Sequence, residues 1–157
     1  MVALTRRLAA AALVGALVLT GCGSIPRDPD GTLERVRASG TLRAGASPGG
    51  GRVSVDRDRA TGPEVDLVED FAGALGAEVE WRPGGEEDLV AAMERGELDL
   101  IAGGLTDQSP WAGKVALTRP YATSEFDGGT VRHVLAVPLG ENAMLFTLEE
   151  WLDRRAS

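Results

Sequence analysis

The chain has 157 residues, 16 basic and 24 acidic side chains, a net charge of −8, one cysteine and one histidine. That length suits one domain with a real core. The acidic surface excludes nucleic acid as a partner class. The lone cysteine excludes an internal disulfide and a cysteine-based metal centre.

In chain order, Arg6-Arg7 is followed by the uncharged apolar run Leu8 to Leu19. At about 1.5 Å per helical residue this run falls well short of the ~30 Å bilayer core, so it reads as the h-region of an export signal, not as a membrane span. Leu19-Thr20-Gly21-Cys22 then resembles a lipobox. That resemblance implies a lipoprotein signal peptide over 1–21 and diacylglyceryl attachment at Cys22. Lipidation would hold the protein on the extracytoplasmic face of the cell membrane, since each buried methylene contributes ~0.8 kcal/mol. Thr5-Arg6-Arg7 leaves twin-arginine export open. Residues 22–30, with Pro26 and Pro29, read as a lipidated tether, and 31–157 as the folded domain.

Within that domain helices and strands alternate. Thr32 is expected to cap a helix over Leu33 to Ser39. Thr41 to Ala46 reads as a first strand, Ser47-Pro-Gly-Gly-Gly51 as a loop, and Arg52 to Asp58 as a small strand or hairpin arm. Pro63 opens a helix running to about Leu75, with Val65, Val68, Phe71, Ala72 and Leu75 on one face. Ala77 to Trp81 is a second strand, Glu86 to Arg95 a short helix, Leu98 to Ala102 a third strand and Val115 to Thr118 a fourth. Val131 to Val137 reads as a fifth strand, and Leu145, Leu148 and Trp151-Leu152 mark a last helix. Helices between strands predict an α/β fold: about five mostly parallel strands with helices on both faces.

Six pieces in order resemble the extracytoplasmic solute-binding proteins of family 3, the amino-acid type that serves ABC importers. They are Gly40-Thr-Leu-Arg-Ala-Gly45, Thr61 to Ala72, Leu89 to Asp99, Gly103-Gly-Leu-Thr106, Thr118-Arg-Pro-Tyr121 and Val137-Pro-Leu-Gly-Glu141. The resemblance implies the type II periplasmic-binding-protein fold, in which two lobes close on a ligand. Here only residues 122–130 separate Tyr121 from Val131. Such a segment reaches at most about 30 Å and cannot hold a second lobe, so lobe one alone is expected.

The resemblance also implies a site with altered residues. The family arginine that grips a ligand carboxylate falls on Trp111, and neither Lys114 nor Arg119 matches its place. Glycines of 47–51 stand where a stacking aromatic is usual, and Glu86-Glu87-Asp88 stand where a second one is. Gly103, Gly104, Thr106, Trp111 and Tyr121 remain as ligand-binding candidates. Each has a plainer reading: Trp111 covering apolar surface, Tyr121 packing beside Pro120, and Gly103-Gly104 marking close backbone approach. His133 lacks partners for a metal site, the 86–88 run suits a helix N-terminus, and no cofactor is expected. No nucleophile–base pair is visible in the sequence, so no enzyme is expected.

The expected function is therefore binding of a small polar, amino-acid-like solute with an ABC permease as partner, through a reduced site. The alternative is a lipid-anchored interaction or regulatory module for another membrane protein. A homodimer through the open cleft face would rebuild two walls. An open wall buries less of a ligand than the 70–90% usual in pockets, which sets micromolar affinity as hard to reach.

Overall fold

The computed structural model describes residues 27–156. Cys22 and the expected signal segment lie outside the described residues.

The chain runs α1 (Thr32–Ser39), β1 (Thr41–Ala46), β2 (Ser54–Asp56), β3 (Arg59–Thr61), α2 (Pro63–Ala74) and β4 (Glu78–Pro83). It continues through α3 (Glu86–Glu94), β5 (Leu100–Ala102), β6 (Val115–Leu117), β7 (Ala122–Phe126), β8 (Gly129–His133), β9 (Ala136–Pro138) and α4 (Asn142–Ala156). Five strands form one sheet in the order β4-β1-β5-β9-β6. β1 pairs in parallel with β4 and β5, and β9 runs antiparallel between β5 and β6. The expected α/β lobe with a mostly parallel sheet is thus present.

Alternation along the strands gives the sheet two apolar faces. Leu100 and Ala102 join Leu42, Phe71 and Met144 in a core covered by α1, α2 and α4. Ile101, between them, joins Leu89, Met93 and Val115 under α3 on the other face. The chain crosses from β1 to β4 by way of α2 and returns to β5 by way of α3. Opposite placement of the two helices follows from the right-handed rule for parallel crossovers. Phe71 and Trp151 meet at 5.5 Å between ring centroids and lock α2 to α4.

Two expectations are corrected at the N-terminal end. Thr32 does not cap α1. Its own N–H donates to Glu141 Oε2 at 2.8 Å, and Leu33 N–H donates to Asp28 Oδ2 at 2.8 Å. These two orphan donors of the first turn are met by carboxylates outside the helix, one just before it and one at the start of α4. Residues 27–30 are not a free tether either. Asp28 Oδ1 also accepts from Met144 N–H at 2.9 Å, Asp30 N–H donates to Glu141 Oε1 at 2.9 Å, and Asn142 N–H donates to the Arg27 carbonyl. This segment fastens α1 to the start of α4.

The expected fifth strand divides. Gly129–His133 pairs with β7 in a hairpin, and only Ala136–Pro138 enters the main sheet. Asp127 (φ 50°) and Gly128 (φ 75°) make the turn, both left-handed as a two-residue hairpin loop requires. Ala122–His133, the stretch where a second lobe would be inserted, is this ribbon.

Asp99, fully buried, closes the far edge of the sheet. It accepts from Arg43 Nη2 at 2.6 Å, Arg43 Nε at 3.1 Å, Arg43 N–H at 3.0 Å and Arg35 Nη2 at 2.9 Å. Burial works against its charge, but the bonds from Arg43 and Arg35 outweigh burial and hold its pKa below the usual aspartate value. Asp99→Ala would leave the part-buried Arg43 N–H without this partner. The guanidinium groups, with side chains 40% and 31% exposed, could still turn to water. The expected loss is about 2 kcal/mol, read as a lower urea midpoint with an unchanged m-value. An unaltered midpoint would refute this account.

Candidate functional site

Open α/β sheets present ligand sites at the C-terminal ends of their strands. At that edge the loop after β1, residues 47–51, lies directly on the loop after β5, residues 103–106. Glycine makes the approach possible. A Cβ on Gly49 would stand 2.2 Å from the Gly103 carbonyl oxygen, and one on Gly104 (φ +67°) 2.8 Å from that of Gly49. Gly103 and Gly104 therefore mark close backbone approach.

The element beneath them is Glu64, in the first turn of α2 and fully buried. Its Oε2 accepts from Gly103 N–H at 2.9 Å and Gly104 N–H at 2.8 Å. Its Oε1 accepts from the Tyr121 hydroxyl at 2.5 Å. The helix N-terminus is a favourable place for that carboxylate. Burial and the adjacent Glu64 charge push the Tyr121 phenol well above its ordinary pKa. Tyr121 thus stays a neutral donor.

Thr106 completes this edge. Its hydroxyl accepts from Gln108 N–H at 3.4 Å, and its backbone forms a bridge with His133. His133 is 3% exposed, and its Nε2 lies 2.8 Å from Ser124 Oγ. The ribbon so creates a serine–histidine contact that the sequence did not reveal. Nδ1 of His133 is buried without a hydrogen-bond partner among the described residues. Burial, then the nearby Arg52 charge, lower the His133 pKa, with Glu64 opposing them.

Gly103, Gly104, Thr106 and Tyr121 are therefore brought to one wall, but Trp111 is not joined to them by any hydrogen bond. Its indole N–H donates to Glu86 Oε2 at 3.0 Å, and its ring packs on the α3 side of the sheet. The plain reading of Trp111 as cover for apolar surface fits this placement. Lys114 pairs with Glu94, and Arg119 pairs with Glu149 and Asp153. Glu64 and Arg52 were missed in the sequence. The one local sign of Glu64 is an acidic residue directly after Pro63, in the first turn of a helix, which suits the helix dipole but does not by itself announce burial.

Residues 51–153 match the model of the bacterial extracellular solute-binding proteins, family 3. The chain belongs to that family. Among curated relatives, a membrane-bound lytic murein transglycosylase F of Idiomarina loihiensis is 36% identical over 69% of this family 3 chain and 24% of its own length. A probable histidine-binding protein of Campylobacter jejuni is 29% identical over 54% of this chain and 34% of its own. The chain spans between 17% and 34% of the curated relatives it matches. Among solved structures, the arginine-bound form of domain 1 from TmArgBP superposes with a TM-score of 0.67. That match has 23% identity and covers 76% of this chain and 97% of that one. It places the family 3 fold here as a single lobe.

Two predictions follow from the wall. Glu64→Gln replaces a charge-assisted acceptor by an amide that cannot serve all three donors. It should cost about 2 kcal/mol, and a double-mutant cycle with Tyr121→Phe should return a coupling of about 1 kcal/mol. Additive single effects in urea unfolding would contradict the contact. His133 binds a proton less readily folded than unfolded, so the unfolded chain carries more protons just below pH 6.5. Stability should be level above that pH and fall as pH drops below about 6.5. Replacing His133 by Asn should flatten this window; an unchanged slope would assign it to other groups.

Proposed function

We propose that this chain is a lipid-anchored, extracytoplasmic recognition lobe. It takes a small polar, amino-acid-like solute on one open wall and serves an ABC permease. The observation that carries the reading is the wall itself: glycine loops, Thr106 and Tyr121 gathered at the C-terminal strand ends and fixed from below by Glu64. Family membership supports the solute class. The arginine-bound domain 1 of TmArgBP supports the idea that one domain of this fold suffices for a solute, which weakens the burial argument against micromolar binding. In this reading Thr106 and Tyr121 line the contact surface, while Gly103 and Gly104 shape it and no longer offer their amides.

The lipobox-like Leu19 to Cys22 supports the anchor. Arg27 already contacts the folded body through its carbonyl, so a lipid on Cys22 would hold the lobe close to the bilayer. Among the described residues no helix is long and apolar enough to cross a membrane. Binding is favoured over chemistry at Ser124–His133, because a general base needs its imidazole oriented through the second nitrogen.

A second reading is an interaction or regulatory module without a small-molecule ligand. It draws on the relatives named as membrane-bound murein transglycosylases, in which the matching region is a minor part of a longer chain. A thermal-shift panel of amino acids separates the two. A solute at about 100 times its Kd stabilises by about 2.7 kcal/mol, raising Tm by several degrees. A panel that leaves Tm unmoved at millimolar solute would remove the first reading and favour the second.

A further inference from the structure

The wall has lost the family's anchoring arginine, yet it holds a guanidinium from another direction. Arg52 lies in the link between the glycine loop and β2. Its N–H donates to the Gly49 carbonyl at 2.9 Å, and its own carbonyl accepts from Glu64 N–H at 3.2 Å. Gly62 allows the second contact, since a Cβ there would stand 2.5 Å from the Arg52 oxygen. The backbone of Arg52 is thus pinned between the two structures that build the wall.

The side chain is half-buried and reaches over Tyr121, its guanidinium carbon 5.7 Å from the ring centroid. Tyr121 is itself fixed through its hydroxyl to Glu64. A cation stacked on a fixed ring has its plane and direction restricted, while its N–H edge stays available. Arg52 makes no ion pair among the described residues. Lys114 and Arg119, the cations nearest in sequence to the family arginine's place, are both paired with carboxylates. The Gly103 and Gly104 amides, otherwise natural anion donors, already serve Glu64.

We infer that Arg52 is the carboxylate anchor of this wall. It takes the acid group of a small solute in the two-pronged geometry that guanidinium and carboxylate share. This rests on the solute-binding reading above and adds to it the ligand's chemical class and the residue that selects it. The anchor has moved from the loop after β5 to the loop after β1, on the other side of the Gly49–Gly104 contact. Thr106 and the Ser124 hydroxyl remain to meet the rest of a polar solute.

The test follows the arginine Nε–H resonances of the ¹⁵N-labelled protein during titration with sodium acetate, against sodium chloride at matched ionic strength. The Arg52 signal is assigned by its loss in Arg52→Lys. The expected result is a saturable shift of that signal with acetate and none with chloride, while the paired Arg119 and Arg132 stay still. No saturable shift at Arg52 would overturn the inference. For any solute found in the thermal-shift panel, Arg52→Gln should weaken binding at least about tenfold, and Arg52→Lys less. Retention of affinity within about twofold in a folded Arg52→Gln would overturn the anchor and leave the solute reading standing. Acetate binding at Arg52 with a flat panel would uphold the anchor and remove the amino-acid-like solute.

Discussion

The wall depends on one buried carboxylate. Glu64 meets two consecutive backbone amides and a phenol, which come from two different parts of the sheet edge. A buried charge is tolerable only when its lone pairs are met. Here the donors are the loop after β5 and the segment leaving β6. The interaction therefore fixes α2, β5 and the exit of β6 together. The glycine loop after β1 then lies on a surface that is already rigid. Without side chains at Gly49 and Gly104, backbone meets backbone, and the two loops make a thin floor above the carboxylate.

This internal use of the amides changes what the wall can do. Successive backbone N–H groups at a sheet edge are a ready site for an external anion, and here an internal one fills it. Recognition then falls to side chains that stand above the floor. Trp111 donates its indole N–H to Glu86 Oε2 and packs beside α3. In the reading proposed above, Arg52 supplies the cation at the wall.

Much of the fold was legible because its signals are local. Pro63 opening α2, the three-and-four spacing from Val65 to Leu75, and the glycines after α1 and α2 are all local signals. Strand β1 was found at its true bounds. The hairpin was not, although Asp127-Gly128 is a strong two-residue turn signal. The run from Val131 to Val137 hid it, since its apolar residues 134–137 follow His133 without a turn signal, although the strand changes partner there. The capping of α1 was missed for another reason: Glu141 reaches Thr32 across 109 residues and has no local signature, and Asp28, five residues before Leu33, stands outside the usual cap position. The candidate site divides in the same way. Gly103, Gly104, Thr106 and Tyr121 were found from family order. Glu64 and Arg52 act through tertiary contacts, and their roles emerge only where α2, the loops after β1 and β5 and the exit of β6 meet.

The ribbon β7–β8 explains how one lobe can end cleanly at the point where a second would begin. A two-stranded hairpin alone is marginal in water, and most of this one is exposed. It is held at its base by three contacts: Arg132 Nε with Asp107 Oδ2 at 2.5 Å, the Thr106–His133 bridge, and the Tyr121 N–H bond to the His133 carbonyl at 3.0 Å. All three attach it to the loop after β5 or to Tyr121, the same parts that Glu64 fixes. The order of the ribbon depends on the wall, and whatever loosens the Glu64 contact should loosen the ribbon before it reaches the sheet.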